Sequence, residues 1–333
     1  MAKREENQNK EDKTIDTILR PNTWDQYIGQ KKTKKNLRII IDAAGKRGEP
    51  IDHLLFYGQP GLGKTTLAKL VANEIGTNIK TTSGPTIEKT GDLAAILSNL
   101  EDNEILFIDE AHRLNRMIEE VLYPAMESRK LHIIIGKGPG ARSISLDLPP
   151  FTLIAATTRI NLLSAPLRAR FGATFKLDYY NKEDIEAIIK RSSKILGVEI
   201  DKEAVEILAG ASRFTPRTAN RLLKRARDYI DVHNEKKITK EIAKKTLEFL
   251  EIDELGLENQ DRTLLGTIID KFNGGPVGIS TIAAALGEDK ATIEEVYEPY
   301  LIKLGLLRRT PSGRVAEHMA FERLKKNPPQ KLI

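Results

Sequence analysis

The sequence predicts an α/β nucleotide-binding core, then an all-α domain, then a small domain of three helices closed by a hairpin, on three observations. An apolar strand runs directly into G-x-x-x-x-G-K-T at Gly58–Thr65. Strand-like apolar runs alternate with helical stretches from about 17 to 178, the pattern of a parallel sheet wrapped by crossovers. From Asn181 the period is helical throughout, and from Asp261 it changes again to short helices and two strand-like runs about a turn.

Leu54, Leu55 and Phe56 supply the buried strand before the glycine-rich string. Gly58, Gly61 and Gly63 let the backbone curl so that its N–H groups face a β-phosphate; Lys64 can reach the β/γ oxygens and Thr65 can ligate Mg2+. Leu67, Leu70 and Val71 form one face of the helix that follows, which argues against an incidental Gly-rich turn. The run EILFIDE, Glu104–Glu110, places Asp109 and Glu110 at the C-terminal edge of a parallel strand, beside the phosphates. Asp109 is expected to hold the Mg2+ shell, and Glu110 to orient or deprotonate the attacking water. Taken alone, an Asp-Glu pair there also reads as a helix-start signal.

Two further segments fit an oligomeric ATPase. The strand FTLIAATT, Phe151–Thr158, ends in Thr158, whose hydroxyl can bond the γ-phosphate or the water. LRARFG, Leu167–Gly172, puts Arg170 at a helix end, facing a neighbouring subunit's γ-phosphate as an arginine finger, although a lone Arg there is usually solvated. Arg217, opening a helix of the all-α domain, is expected to sense the γ-phosphate in cis; the alternative is a surface Arg where the helix dipole disfavours cations.

At 333 residues, with 30% charged and 40% hydrophobic residues, the chain reads as a soluble protein of two or three domains. No apolar run approaches the roughly 18 residues that span a bilayer, and MAKREENQNKEDK has no hydrophobic signal core. With no cysteine, disulfides and thiolate metal sites are excluded, and a cytoplasmic location is expected. A net charge of +6 suits a polyanion partner, and solubility alone also explains it.

Residues 1–16 read as a disordered leader and 17–180 as the core, with strands near 53–57, 79–82, 104–108, 151–157 and 174–177. Segment 181–255 is expected to be wholly helical: Lys182–Ile195, Lys202–Ala211, and a helix capped by Thr215 with Pro216 at its first position. In that helix Ala219, Leu222, Leu223, Ala226 and Ile230 make the core stripe, leaving Arg221, Lys224 and Arg225 outward. Over 256–333, helices near 262–272, 279–286 and 289–305 precede two strands flanking Thr310–Gly313. Three helices and a β-wing make a winged helix, a common DNA-docking module; a small all-α interaction domain is the alternative. An insertion at 131–148 interrupts the sheet pattern with a hairpin about GKGPGA, in which Ile144, Leu146 and Leu148 alternate with Ser143, Ser145 and Asp147 as a half-buried strand does. With Ile133, Ile134 and Ile135 it carries more apolar surface than a solvated excursion needs, so it packs on a partner or on its own core.

Leu19-Arg20-Pro21, Tyr27-Ile28-Gly29-Gln30, GLGKTTLA, DEAHRL, ATTR, APLRARFG, TPR-x-ANRLL, GGPVG, EEVYEPYLIKLG and RTPSGR together resemble the RuvB family of bacterial Holliday-junction branch-migration motors, over nearly the full length. The resemblance implies an AAA+ P-loop parallel-sheet core, an all-α lid and a C-terminal winged helix. It implies a homo-hexameric ring that pumps duplex DNA with RuvA, with RuvC in the resolving complex, using ATP and Mg2+. Lys64 and Thr65 match Walker A, Asp109 and Glu110 Walker B, Thr158 sensor 1, Arg170 the finger and Arg217 sensor 2. Leu19, Arg20, Tyr27, Ile28, Leu62, Thr66, Pro216 and Tyr180 match the nucleotide's surroundings. In the family such a hairpin docks on RuvA, which would use Ile133, Ile135, Ile144 and Leu146. Gln59, Ala111, Phe214 and Glu317 depart from the usual Pro, Ile, Gly and Thr. Phe214 bears on how the lid seats Arg217, and Glu317 adds negative charge near the wing.

Arg308, Arg309 and Arg314 flank the wing turn and are expected to contact DNA phosphates more than base edges. Asp109-Glu110-Ala111-His112 also spells a DEAH box, but a helicase of that class needs two RecA-like lobes, for which the chain has no room. An AAA+ origin-binding initiator shares the domain order, yet does not call for the 131–148 hairpin or the RTPSGR wing. A clamp-loader subunit lacks the winged helix.

Overall fold

The computed structural model describes residues 15–135 and 142–326. Most of the expected leader, the hairpin tip GKGPGA and residues 327–333 lie outside the described residues. The strands are β1 (Leu54–Tyr57), β2 (Ile79–Ser83), β3 (Ile105–Asp109), β4 (Lys130–Ile135), β5 (Arg142–Asp147), β6 (Thr152–Thr157), β7 (Ala173–Lys176), β8 (Glu199–Ile200), β9 (Lys237–Ile238), β10 (Leu307–Thr310) and β11 (Gly313–Ala316). Of the described residues, those up to Ala187 together with Thr215–Arg217 form one compact unit, and Ile188–Phe214 with those from Thr218 onward form the other. No helix among the described residues is long and apolar enough to cross a membrane.

The first unit is built on a parallel five-stranded sheet in the order β2-β3-β6-β1-β7. Ile105–Ile108 and Thr152–Thr157 are buried residue after residue, because helices cover both faces; hence the unbroken apolar runs in the sequence. Leu55, Leu106, Ile108 and Leu153 pack with Leu93, Leu97, Ile118 and Leu122 in its main core. The pairings Tyr57 with Thr157 and Ile108 with Ala155 bring the C-terminal ends of β1, β6 and β3 to one edge of the sheet. Open α/β sheets bind their ligands at that edge.

Helix Arg116–Ser128 leaves the edge and leads to the hairpin. Asn115 caps it, its side chain accepting from Ile118 N at 3.0 Å, and Ile118, Leu122 and Ala125 form its buried face. Arg129, left-handed at φ 54°, ends the helix and turns the chain into β4. β4 and β5 pair antiparallel from Lys130–Asp147 to Ile135–Arg142. Leu131 and Leu148 anchor the base in the core. Ile144 and Leu146, by contrast, are 42% and 40% exposed, and Ser145 and Asp147 are exposed too. The expected half-burial of this strand is therefore corrected over Ile144–Asp147: residue type alternates, burial does not, because among the described residues no layer covers either face there. The side chains of Ile133 and Ile135 lie outside the described residues.

Helix Lys202–Gly210 and helix Pro216–His233, the latter in the second unit from Thr218 onward, carry the predicted apolar stripes, and helix Lys240–Phe249 adds another through Ile242, Ala243 and Leu247. This region is not wholly helical. β8 and β9 form a two-residue parallel pair, too short to leave a periodicity of its own. Lys224 is not outward: it is 6% exposed, against the solvated position its spacing gives. Arg221 and Arg225 do stay at the surface, paired with Glu258 and Asp228.

The winged-helix fold consists of helices Asn259–Phe272 and Ile279–Leu286, a third helix, and the β10–β11 wing. The third helix opens at Lys290–Thr292, widens into a π turn at Ile293–Tyr297 and closes at Glu298–Lys303. Pro299 offers no N–H to the preceding turn, which accounts for the widening. The wing turn is tighter than expected, since Thr310 already pairs with Gly313, and helix His318–Arg323, for which the sequence reading named no element, follows it. Leu264, Leu265, Ile268, Ile282, Ile293, Leu301, Leu307 and Phe321 fill the core.

Arg314 departs from its expected role. Its Nε donates to Glu298 Oε1 at 2.7 Å and its Nη2 to Glu294 Oε1 at 2.8 Å; Glu298 is fully buried, and the Arg314 side chain is 13% exposed. The guanidinium is spent on the domain's own carboxylates, four residues apart in the third helix, and Arg309 bonds Glu298 as well at 2.6 Å. Arg314→Ala leaves a buried carboxylate short of a partner and is expected to lower unfolding stability by about 3 kcal/mol, as read by urea titration. An unchanged denaturation midpoint would return Arg314 to the surface set.

Phe214 joins this unit's two helical parts. Arg213 and Phe214 both adopt φ 54°, a conformation that favours glycine, and both meet Tyr300: the Arg213 guanidinium lies 4.4 Å from the ring centroid and the Phe214 ring 6.1 Å away. Arg213 also donates to buried Asp261 at 2.9 Å. The backbone strain of a non-glycine residue is thus offset by aromatic and ionic contacts that glycine could not make.

Candidate active site

The glycine-rich string forms the loop between β1 and helix Lys64–Ile75. Gly61 and Gly63 hold φ of 78° and 96°; a Cβ on Gly61 would lie 3.0 Å from Arg217 Cβ, and one on Gly63 3.0 Å from the Tyr27 hydroxyl. Two expected nucleotide neighbours, Arg217 and Tyr27, therefore touch the loop itself. Lys64 donates to the carbonyls of Gly58 at 2.8 Å and Gln59 at 3.0 Å. Burial pushes its ammonium down to about 8, while Asp109 and Glu110 pull it back up. Phosphate oxygens would stabilise the charge that burial disfavours, taking the place of the two carbonyls. The Gln at 59 contributes only its main-chain carbonyl, which the usual proline also has.

Thr65 Oγ1 donates to Asp109 Oδ2 at 3.0 Å, across the loop from β3. A hydroxyl and a carboxylate meeting at the end of a parallel strand suit Mg2+, which takes one or two protein ligands and fills its octahedron with water and phosphate. Among the described residues no group of three or more His, Cys, Asp or Glu could by itself hold a metal ion.

Asp109 Oδ1 accepts from Glu110 N at 2.9 Å. Glu110 itself is left-handed at φ 48°, an uncommon state for Glu, and its carboxylate is 51% exposed with Arg113 at 3.6 Å. The turn aims the side chain off the strand edge, where water reaches it. Thr158 lies just past β6, half-buried, on the strand between those that carry the loop and Asp109. Sequence reading missed its neighbour: the fully buried Thr157 bonds His112 Nδ1 at 3.0 Å and accepts from Arg159 N at 2.9 Å, fixing the segment after Glu110 against β6. The DEAH and ATT strings held the two residues, but no spacing links them.

Tyr27 and Tyr180 are 3% and 5% exposed, and burial raises both phenols, Tyr180 to about 12. Both are neutral donors. Tyr180 donates a hydrogen bond to Leu62 O at 3.2 Å, whereas the Tyr27 hydroxyl, buried against the loop with Tyr180 beside it, makes no well-formed hydrogen bond. A buried orphan donor beside a phosphate loop fits a bound nucleotide. Leu19 and Leu62 are buried; Arg20, Ile28, Thr66 and Pro216 are half-buried, and Arg217 is exposed. Arg170 bonds none of the loop or carboxylate groups: its contacts are with Pro166, Tyr123 and Glu127 of its own chain.

A Thermotoga maritima structure described as the RuvB Holliday junction branch migration motor superposes with a TM-score of 0.87, at 48% identity, covering 94% of this chain and all of that one. The chain belongs to the RuvB family. Three RuvB family models follow one another along it: the Holliday junction DNA helicase RuvB P-loop domain over residues 19–177, the RuvB AAA lid domain over 180–253 and the RuvB C-terminal winged helix domain over 254–325. The T158V form of the Thermotoga RuvB matches at 47% identity with a TM-score of 0.87, over 94% of this chain and all of that one. Its R170A form matches at 48% with 0.86, over 93% and 99%. The chain is accordingly an AAA+ P-loop ATPase, a Holliday junction helicase motor of recombination and repair, with the RuvB lid and winged helix.

Proposed function

We propose that the chain works as a homo-hexameric cytoplasmic ring that hydrolyses Mg2+–ATP at its subunit interfaces and moves duplex DNA through its centre. RuvA docks on its hairpin, and RuvC joins in the resolving complex. The observation that carries this reading is the convergence of Thr65 on Asp109 beside Lys64 and Glu110, at the edge where β6 delivers Thr158. Lys64 and the loop N–H groups bind the β- and γ-phosphates, and Arg217, against Gly61, senses the γ-phosphate. Thr65 and Asp109 would hold Mg2+, which supplies charge neutralisation across the phosphates. Glu110 orients a water and takes its proton as the water oxygen bonds the γ-phosphorus and the β–γ bridging bond breaks; Thr158 holds that water or the γ-phosphate; ADP and phosphate leave. Tyr27, Ile28, Pro216 and Tyr180 bound the adenine, with Leu19 and Arg20 behind them. Arg170 serves the adjoining subunit's site, and the Thermotoga motor has been solved in an R170A form. Electron-microscopic imaging with an ATP analogue and duplex DNA tests the whole: DNA-threaded rings are expected, and particles that never enclose DNA would overturn it.

The exposed Ile144 and Leu146 support the docking role of the hairpin, since surface apolar pairs with no cover mark contact sites. Changing both to Ser is expected to leave intrinsic ATP turnover within about twofold of wild type and to abolish RuvA-stimulated branch migration. Intact stimulation would remove the hairpin from that interface. Ile133 and Ile135, whose backbones pair with Ile144 and Arg142, belong to the same proposal.

For DNA, Arg308 is the wing cation best placed to meet phosphates, being 62% exposed, with Arg309 half-committed to Glu298. Arg308 pairs with Glu317, where the family usually has Thr, so the wing carries its own competitor for DNA. Arg308→Ala is expected to flatten the log K against log salt slope by about 0.9, and Glu317→Thr to strengthen duplex binding by freeing the guanidinium. Anisotropy titrations at several salt concentrations read both; equal slopes throughout would take Arg308 off the DNA path.

A further inference from the structure

Arg170 does not project freely. Its Nη2 lies 3.1 Å from Glu127 Oε1, its Nη1 donates to Pro166 O at 2.8 Å, its guanidinium carbon sits 4.3 Å from the Tyr123 ring centroid, and its Nε is buried without an acceptor. Tyr123 and Glu127 stand four residues apart in helix Arg116–Ser128, the spacing that puts two side chains on one face. The ring is itself fixed. The Tyr123 hydroxyl bonds Ser164 Oγ at 2.9 Å, and Ser164 caps helix Ala165–Ala169 by accepting from Leu167 N at 3.2 Å. Arg170 is the C-cap of that same short helix, so the contacts close a circuit through it.

We propose that Tyr123 and Glu127 are positioning residues that form a seat for Arg170. The ring holds the plane of the guanidinium, and the carboxylate holds its edge in a rest position from which a neighbouring subunit's γ-phosphate draws it. The inference rests on reading Arg170 as a finger acting in trans. A ring stacks on the guanidinium face and uses no N–H, so the edge that recognises a planar oxyanion stays available. Glu127 occupies part of that edge. Carboxylate and phosphate accept from Arg in the same geometry, and Glu127 is 59% exposed, so one replaces the other without disturbing the stack. Tyr123 therefore serves in both states and Glu127 in the rest state only.

The two side chains should then act in opposite directions. Tyr123→Ala is expected to lower ATP turnover in assembled rings about tenfold with nucleotide binding unchanged, and Tyr123→Phe, which keeps the ring, to recover to within about threefold. Glu127→Gln is expected to raise turnover by about two- to fivefold, the value of a surface ion pair lost from the rest state alone. Neither change should alter the residual rate of Arg170→Ala. Mixed with Glu110→Gln, Tyr123→Ala should recover, because the mixed interface joins an intact seat on one subunit to an intact Glu110 on the other; a folding defect in helix Arg116–Ser128 would persist in the mixture. Wild-type turnover in Tyr123→Ala, or a defect the mixture leaves untouched, overturns the seat while Arg170→Ala stays inactive. Normal turnover in Arg170→Ala removes the finger reading, and the seat with it.

Discussion

Glu110→Gln is expected to lower ATP hydrolysis by about two to four orders of magnitude while ATP and Mg2+ still bind. The amide keeps the size and hydrogen-bonding reach of the side chain but cannot take the proton of the water. Everything that holds nucleotide lies elsewhere: Lys64 on the loop, and the Thr65 hydroxyl 3.0 Å from Asp109. The backbone N–H of residue 110 still bonds Asp109 Oδ1, so β3 and its turn are untouched. Lys64→Ala gives the contrasting result, weakening nucleotide binding itself. Equilibrium binding of a fluorescent ATP analogue and single-turnover hydrolysis separate the two, and wild-type turnover in Glu110→Gln would dismiss Glu110 as the base. Because Glu110 is left-handed, glycine at that position also separates the roles of side chain and turn: it relaxes the backbone, yet hydrolysis should stay as slow as in Gln.

The nucleotide core was legible because its determinants are local in the chain. A strand covered on both faces must be apolar at every position, so β3 and β6 announced themselves, and a phosphate loop needs its glycines, Lys and Thr at fixed intervals. Asp109 and Glu110 followed from being the first polar residues after such a strand. Legibility ended where a side chain's partner comes from another element. Arg314 sits where a wing cation should, yet its fate is decided by Glu298 and Glu294, whose convergence depends on the π turn before Pro299. Lys224 has outward periodicity and is nonetheless buried. The Thr157–His112 bond, the orphan hydroxyl of Tyr27 against Gly63 and the seat of Arg170 are all pairings across the fold that no spacing encodes. The hairpin showed the opposite failure. Its alternation of residue types was clear, but alternation becomes burial only when something covers one face, and the first unit does not cover Ile144 or Leu146.

Arg170→Ala is expected to cut ATP turnover by three orders of magnitude or more in assembled rings, roughly the effect of removing an arginine finger, without weakening nucleotide binding. The position of the side chain makes this a test of acting in trans. Within its own chain Arg170 contacts Pro166, Tyr123 and Glu127 and none of Lys64, Thr65, Asp109 or Glu110, so the loss cannot come from a bond broken in its own site. Mixing supplies the decisive comparison. Arg170→Ala subunits keep Glu110 and the phosphate loop; Glu110→Gln subunits keep Arg170. Where the two adjoin in the right order, one intact site is rebuilt from halves, and turnover should rise above that of either variant alone. With random incorporation at equal proportions about three quarters of the interfaces face the wrong way or pair like with like, so recovery is partial and peaks near equal proportions. Titrating one variant against the other at constant total protein reads the curve. A flat line at the level of the two pure variants would mean that Arg170 acts within its own subunit or on folding, and full turnover in pure Arg170→Ala rings would mean that the γ-phosphate is met by another cation.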